Sequence, residues 1–334
     1  MCFFANGQNK KKAMSITYPI PQHILHDLEK VEKELVNSVK SSNGLLTEAC
    51  LITLKAGGKR LRPALVLMAG MVGDYDLDTL LPIAVASELI HMASLIHDDV
   101  LDNALTRRGV ATINATWGEQ AAIAVGDFVF SRAFEILSRT DTYMIEVMVK
   151  AALDLSLGEF DQMATARVID QSMADYLQKA RRKTAALFAA CCEAGSYLSG
   201  AKAYEVNALT SYGENLGIAF QIYDDVLDII GGKATGKAAG VDILDGTVTV
   251  PILCALEQLG PKSRLAEIVS LEKPSDEDVK TALEIIYNCG AIDKSKDIAR
   301  SYVDLAINEL KIISKPDAVS VFEGIGRFVI ERYH

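Results

Sequence analysis

The fold class is decided by two stretches, LLPIAVASELIHMASLIHDDVLD (80–102) and YGENLGIAFQIYDDVLDII (212–230). Each is apolar on nearly every side, which is typical of a helix buried inside a bundle rather than laid on a surface. No proline occurs between Pro82 and Pro251, and proline disfavours a helix interior by about 3 kcal/mol. The sequence therefore predicts an all-α protein built as a bundle of packed helices.

Length, charge and cysteine usage limit the remaining possibilities. The 334 residues are 50% hydrophobic, which is enough for a sizeable core, and we expect one domain over 16–334 behind a disordered leader at 1–15. No apolar run reaches about 18 residues without a polar interruption, which argues against a transmembrane segment. The net charge of −10 argues against nucleic-acid binding. Six cysteines without a CxxC pair predict reduced thiols and a cytoplasmic location.

The pentapeptide DDVLD occurs twice, at 98–102 and 224–228, each time at the end of a long apolar stretch. Aspartates four residues apart share a helix face and repel, and the partial negative charge of a helix C-terminus adds to this repulsion. Both motifs therefore need a cation, and aspartate oxygens suit Mg²⁺. One copy alone would fit an acidic helix end in solvent. Two copies favour a pair of carboxylate sites that hold Mg²⁺ on one phosphate-rich ligand.

Basic residues beside glycines suit such a ligand, because arginine binds phosphate bidentately and lysine acts as a point charge. They lie in GGKRLRP (57–63), TRRG (106–109), RRKTAALF (181–188) and GKAAG (236–240). The segment GGKATGKA (231–238) is a near miss to a nucleotide-binding P-loop. Ala238 stands where that motif needs Ser or Thr, and a helix rather than a strand precedes it, so a nucleotide hydrolase is disfavoured.

From about residue 50 to 251 the chain resembles the trans-isoprenyl diphosphate synthases (polyprenyl synthetases) of the long-chain type. The matching motifs, in order, are GGKRLRP, HDDVLD followed by RRG, GDF (126–128), GEFDQ (158–162), KT (183–184), FQIYDDVLD and GKAAGVD (236–242). The resemblance implies the all-α isoprenoid synthase fold, with a deep central cavity and usually a dimer. It also implies an Mg²⁺-dependent prenyltransferase that joins isopentenyl diphosphate head to tail with an allylic diphosphate, farnesyl or geranylgeranyl.

The same resemblance implies roles for individual residues. Mg²⁺ is expected on Asp98, Asp102 and Asp224, with Asp99, Asp225 and Asp228 in support. Contacts to the allylic diphosphate are expected from Arg107, Lys183, Thr184, Gln221 and Lys237. Contacts to isopentenyl diphosphate are expected from Lys59, Arg62, His91 and Arg108. A buried histidine bonded to backbone is the alternative for His91.

One position departs from the family pattern, which usually reads G-K-x-T-L-P after the second motif. This chain reads GTVTVP over 246–251, so Thr247 replaces the expected lysine. One diphosphate contact is therefore in doubt, and we expect weaker activity or dependence on a partner. A homodimer is the expected assembly, and a heteromer with a small subunit is the alternative.

Product length is predicted from the turn before the first motif, where short-chain members of the family carry aromatic residues. This chain has the small residues Ala93 and Ser94 there, so the floor under Asp98 is expected to be open. Because each five-carbon unit needs roughly three residues of helix rise, we expect a product of roughly C30 to C50. Such a polyprenyl diphosphate would serve as a quinone side-chain precursor and partition to membranes; a farnesyl or geranylgeranyl diphosphate synthase is the alternative.

Three other functions compare less well with these motifs. A terpene cyclase uses similar ionisation chemistry but does not need GGKRLRP and His91 for a second diphosphate. A non-catalytic regulatory subunit is expected to lose aspartates, and both DDVLD motifs are intact. A helical Mg²⁺-dependent binding protein without chemistry is the alternative from a different class.

Overall fold

The computed structural model describes residues 20–231 and 239–331, and helices make up most of them. The first half contains α1 (Gln22–Ser38), α2 (Gly44–Lys55), α3 (Leu61–Gly70), α4 (Leu77–Leu101), α5 (Ile113–Trp117), α6 (Glu119–Leu137) and α7 (Thr142–Thr165). Next come α8 (Met173–Ala180), a π-helix (Arg181–Ala185), α9 (Ala186–Leu198) and α10 (Ala203–Ile230). The remainder contains α11 (Val241–Asp245), α12 (Val250–Leu259), α13 (Arg264–Val269), α14 (Asp276–Asn288), α15 (Ala291–Glu309), a 3₁₀ turn (Leu310–Ile312) and α16 (Pro316–Glu331). The all-α prediction is confirmed.

Within the described ranges, the strands are limited to one short antiparallel hairpin, β1 (Thr106–Arg107) and β2 (Val110–Ala111). The purely helical expectation missed this hairpin. Its two-residue turn consists of Arg108 and Gly109, with φ of 53° and 76°. Left-handed conformations at both positions match the twist of a tight hairpin. The hairpin carries Arg107 and Arg108, a few residues after the end of the first DDVLD motif.

Helix α4 lies in the centre of the bundle and packs against α3, α6 and α9. By length and composition alone it could cross a membrane, but 67% of its most apolar window is buried inside the protein. Its contact with α6 is close at Gly126, where an added Cβ would lie 2.1 Å from Nε2 of His97. The apolar surface of α4 is therefore covered by neighbouring helices, as expected for a core helix.

Helices α9 and α10 also pack closely, because two glycines of α10 face the backbone of the preceding helical segment. A Cβ at Gly213 would lie 2.7 Å from the carbonyl oxygen of Phe188, and one at Gly217 would lie 2.5 Å from Cα of Ala185. Larger residues would hold the two segments apart. This close approach brings the π-helix next to the second DDVLD motif.

Candidate active site

The two DDVLD motifs occupy corresponding positions at the ends of α4 and α10. Asp98 and Asp99 lie in the last turn of α4, with Asp102 as its C-cap, and the second motif fills the last turns of α10. In each motif the second aspartate is buried: Asp99 is 6% exposed and Asp225 is 4% exposed. Asp98 is half-buried, whereas Asp102 and Asp224 are exposed. The outer aspartates are thus accessible to a ligand, and the inner ones bind protein groups.

The inner aspartates hold the surrounding structure in place. Oδ1 of Asp99 accepts a 2.7 Å hydrogen bond from Nε of Arg107. Asp225 accepts hydrogen bonds from the Tyr176 hydroxyl at 2.5 Å and from Nε2 of Gln221 at 2.9 Å. Arg107 and Gln221, both expected at the allylic diphosphate, therefore also orient their own motifs.

The π-helix connects the two motifs. Nζ of Lys183 lies 2.6 Å from Glu159 and donates a 3.0 Å hydrogen bond to Gln162, both on α7. The neighbouring Thr184 hydroxyl donates a 2.6 Å hydrogen bond to Oε1 of Gln221 on α10. Burial opposes protonation of Lys183, but the carboxylates of Asp98 and Glu159 outweigh it and raise the lysine pKa. One helical turn thus binds residues beside both motifs, and π-turns are frequent at functional sites.

Burial is the largest influence on the pKa values of three carboxyl groups in the site. Burial raises the pKa of Asp98 to about 7, with Glu159 adding to the shift and Lys183 opposing it. Burial likewise raises the pKa of Asp225 to about 7. For Asp242, burial and three nearby carboxylates of the second motif raise the pKa well above its usual range. Because burial disfavours the ionised form of these carboxyl groups, a divalent cation beside them would stabilise it.

The donor set fits Mg²⁺ held jointly with a ligand. Carboxylate oxygens are hard donors, as Mg²⁺ requires. Over residues 20–231 and 239–331, no three His, Cys, Asp or Glu side chains are grouped closely enough to hold a metal by themselves. Mg²⁺ commonly takes one or two carboxylates and completes its shell with phosphate oxygens and water. The separated aspartates therefore suit a cation that arrives with a diphosphate.

A separate basic cluster lies beside the first motif. Burial, then the charges of Arg62 and Arg108, lower the pKa of His91 well below its usual range. An added Cβ at Gly58 would lie 2.9 Å from a guanidinium nitrogen of Arg108, so the GGKRLRP loop closely approaches the hairpin. Nε of Arg62 is buried and has no hydrogen-bond partner in the described structure. The His91 ring likewise shows no hydrogen bond among the described residues, so the bonding to backbone considered for it is not observed. The cluster can accept an anion.

The guanidinium group of Arg60 is held by several contacts within the protein. Its guanidinium is 8% exposed, forms an ion pair with Glu32, and donates to Glu88 at 2.8 Å and to the carbonyl of Leu54 at 3.1 Å. Arg60 thereby anchors the GGKRLRP loop to α1 and α4. Of the cations of this loop, Arg62 has a buried Nε without a hydrogen-bond partner among the described residues, so it is the one that we expect to meet a ligand.

The remaining predicted residues are placed as follows. Asp228 accepts backbone hydrogen bonds at 3.2 Å from Val241 and Asp242, so it fastens the start of α11 to α10. The Thr247 amide donates to the carbonyl of Asp242 at 2.8 Å. Lys237 and the expected leader at 1–15 lie outside the described residues.

The two residues assigned to product length do not share one environment. Ala93 is 0% exposed and packs in the main core cluster. Ser94 is half-buried, and its hydroxyl donates to the carbonyl of His91 at 2.9 Å. Ser94 therefore shares the side of α4 that carries His91 and Asp98, and Ala93 packs against neighbouring helices.

Four residues of the site had no assigned role in the sequence interpretation: Glu159, Gln162, Tyr176 and Asp242. Three of them lie in the motifs GEFDQ and GKAAGVD, which carried the family resemblance without individual roles. Tyr176 had no such signal, because it is 49 residues from the Asp225 it contacts. Its position follows only from how α8 packs against α10.

Comparison with known proteins agrees with this geometry. The Polyprenyl synthetase family model matches residues 43–286. Heptaprenyl diphosphate synthase component 2 of Geobacillus stearothermophilus is 38% identical over 308 residues, covering 92% of this chain and 96% of that protein. A short chain isoprenyl diphosphate synthase of Methanothermobacter thermautotrophicus is 35% identical over 308 residues, covering 90% of this chain and 94% of that protein.

Solved structures show the same fold. A polyprenyl synthase from Caulobacter crescentus, complexed with calcium and isoprenyl diphosphate, superposes with a TM-score of 0.88 at 33% identity, covering 93% of this chain and 96% of that one. The family match spans both DDVLD motifs and the basic cluster, so the predicted membership of the polyprenyl synthetase family is confirmed. The chain belongs to the polyprenyl synthetase family and is a prenyltransferase.

Proposed function

We propose that this prenyltransferase condenses isopentenyl diphosphate head to tail with an allylic diphosphate in an Mg²⁺-dependent reaction. The observation that supports it best is the separation of an acidic and a basic site along α4. His91 precedes Asp98 by seven residues, so the two share a helix face about 10 Å apart along the axis. A diphosphate beside the aspartates needs a cation between its own negative charge and theirs. A diphosphate beside the arginines binds their guanidinium groups directly.

The chain's own residues divide the work between the two substrates. Asp98, Asp102 and Asp224 would hold Mg²⁺, which supplies positive charge to stabilise the departing diphosphate. Lys183 adds a charge from the protein side of the first motif. Arg62, Arg108 and Lys59 would orient isopentenyl diphosphate so that its double bond faces the reacting carbon.

The reaction balances without an additional reagent. The allylic carbon–oxygen bond breaks and its electron pair leaves with diphosphate. The double bond of isopentenyl diphosphate forms the new carbon–carbon bond, and loss of a proton restores an alkene. The released diphosphate is a suitable proton acceptor. Apolar walls protect the allylic cation from water during this step.

A long product is the second part of the proposal. Ser94 is small and lies on the α4 face that carries Asp98, so no bulky side chain blocks that position. The heptaprenyl name of the Geobacillus relative supports a long product, and the short-chain name of the Methanothermobacter relative supports the alternative. We favour the long product, of roughly C30 to C50, because the small Ser94 side chain does not block the growing chain. Each added five-carbon unit then extends along roughly three residues of the helix.

We also propose that two copies of the chain associate through α7. Val149, Leu153, Leu157 and Phe160 recur at helical spacing along α7 and are 42%, 59%, 40% and 70% exposed. An exposed apolar stripe of this kind marks an interaction surface. Phe160 is adjacent to Glu159, the partner of Lys183, so a subunit on this stripe would lie next to the active site.

A heteromer with a small subunit is the second candidate assembly. It is favoured by Thr247, where the family usually has lysine, and by the words "component 2" in the name of the Geobacillus relative. In this arrangement the catalytic chain is the one with both DDVLD motifs, and the partner restores full activity.

The decisive experiment incubates the purified chain with farnesyl diphosphate, isopentenyl diphosphate and Mg²⁺. Released diphosphate and the mass of the prenyl product are measured. We expect release that requires all three components, and a product longer than C20. Release without isopentenyl diphosphate would indicate a cyclase, and no release even with a partner-containing extract would indicate a binding protein. Omission of Mg²⁺ with a chelator present is the control.

A further inference from the structure

Lys179, on the last turn of α8, is a buried lysine that the reaction scheme above does not use. Its side chain is 6% exposed. Over the described residues, its ammonium donates no hydrogen bond and has no carboxylate within the 4.0 Å of an ion pair. Nζ lies over the ring of Tyr176, 5.9 Å from its centroid. An ammonium taken out of water in this way is costly unless nearby charges compensate.

The compensating charges belong to the second acidic site. Burial lowers the pKa of Lys179, and Asp225 and Asp242 are the first and second carboxylates that oppose this, whereas Lys183 adds to it. Tyr176 lies between the lysine and the motif: its ring centroid is 5.9 Å from Nζ of Lys179, and its hydroxyl donates a 2.5 Å hydrogen bond to Asp225. Lys179 therefore lies behind the second motif, on the protein side.

The other cations of this segment are engaged elsewhere. Arg181 is bonded to Glu214, and Arg182 forms a 2.7 Å ion pair with Asp161. Lys183 is bonded to Glu159 and acts on the first motif. Lys179 is among the groups that most affect the buried carboxylate of Asp225, and its charge favours the ionised form of that carboxylate.

We propose that Lys179 is a positioning residue: its buried ammonium, through Tyr176 and Asp225, holds the second DDVLD motif in the arrangement that presents Asp224 to the metal-bound diphosphate. This proposal rests on the proposed function, because it assigns Asp224 to that diphosphate. Without Lys179 the crowded carboxylates of Asp224, Asp225 and Asp242 would repel one another and move apart before a ligand binds.

The test compares Lys179→Met, which keeps the length and removes the charge, with Lys179→Arg, which keeps the charge. Lys280→Met, at an exposed position of α14, is the matched control. The dissociation constant of a non-hydrolysable farnesyl thiolodiphosphate with Mg²⁺ is measured by calorimetry, together with that of isopentenyl diphosphate. We expect Lys179→Met to weaken the allylic analogue about tenfold, or about 1.4 kcal/mol. Isopentenyl diphosphate should bind as in the wild type, and Lys179→Arg should recover most of the loss.

A double-mutant cycle separates positioning from a general structural role. If Lys179 acts through Asp225, the losses in Lys179→Met and Asp225→Asn are non-additive in the double variant. Additive losses, unchanged allylic binding in Lys179→Met, or equal weakening of both substrates would overturn the proposal. Turnover of the wild-type chain tests the proposed function separately, because the comparison of dissociation constants requires only binding and no reaction. A wild-type chain that does not bind the allylic analogue would overturn both.

Discussion

The hydroxyl of Thr184 donates a 2.6 Å hydrogen bond to Oε1 of Gln221, which joins the π-helix to the helix of the second DDVLD motif. Nε2 of Gln221 then donates to Asp225 at 2.9 Å. One residue earlier, Lys183 faces Glu159 and the first motif. The adjacent residues Lys183 and Thr184 therefore link the surroundings of the two acidic sites.

The outer aspartates are the first target for mutation. We expect Asp98→Asn and Asp224→Asn each to lower turnover by about 10²-fold or more. Each variant removes a carboxylate that would hold Mg²⁺, and this ion stabilises the leaving diphosphate. Steady-state diphosphate release measures this loss. Circular dichroism should show unchanged helix content, since neither side chain is part of the core. Near-normal turnover in either variant would contradict the assignment of the metal site.

The metal-free protein should lose stability as pH rises from about 4 to about 7. In the folded chain burial raises the pKa of Asp98 from 3.8 to about 7, so the folded state keeps a proton that the unfolded state releases. By linkage, stability is greatest below the unfolded value and declines until the folded value is passed. Melting temperatures are measured at pH 5.5 and pH 8 in the presence of a chelator. The decrease in melting temperature between these two pH values should be smaller for Asp98→Asn than for the wild type. Asp304→Asn, at an exposed position of α15, is the control. Equal slopes for Asp98→Asn and the wild type would refute the prediction.

Thr247 tests the choice between a self-sufficient enzyme and one component of a heteromer. If the absence of a lysine at position 247 weakens diphosphate binding, Thr247→Lys should lower the KM for the allylic substrate several-fold in the isolated chain. Addition of a host-cell extract should then stimulate the wild type more than the variant. Full activity of the wild type alone, unchanged by Thr247→Lys and by the extract, would remove the reason for a partner.

Ser94 rather than Ala93 is the residue to enlarge when product length is tested. Ser94→Phe should shorten the product, because its side chain lies on the α4 face of Asp98, and mass spectrometry of the products measures the change. Ala93→Phe places an aromatic ring into a filled core and should cost about 1–3 kcal/mol of stability. Ser94→Ala is the matched control and should leave product length unchanged. An unshortened product in Ser94→Phe would mean that the chain grows elsewhere.

The apolar stripe on α7 predicts a mutation that separates subunits. Leu153→Glu puts a charge at a position that is 59% exposed in the single chain. Burial of an unpaired charge at an interface is strongly unfavourable, so the variant should sediment as a monomer at concentrations where the wild type is a dimer. Leu305→Glu changes a residue on α15 that is 50% exposed and should leave the assembly intact. The opposite pattern would place the interface on α15.

The sequence alone determined the all-α class, the two acidic helix ends and the family. These follow from local properties: all-round apolar helices must be buried, repeated aspartates on one helix face need a cation, and motif order is linear along the chain. It also placed the small residues Ala93 and Ser94 in the turn before Asp98, because the helical repeat determines that spacing.

Only the tertiary structure decided how deeply each residue is buried and what it contacts. The period of a helix places Ala93 next to Ser94 but does not reveal that Ala93 packs into the core, since that depends on the neighbouring helices. It does not reveal that Asp225 meets Tyr176 from 49 residues away, or that Lys179 lies buried behind them. Such contacts join residues distant in sequence and arise from helix packing, including the close approach at Gly213 and Gly217. Burial and long-range charge then set the pKa of each carboxylate, because both depend on surroundings that no single segment contains.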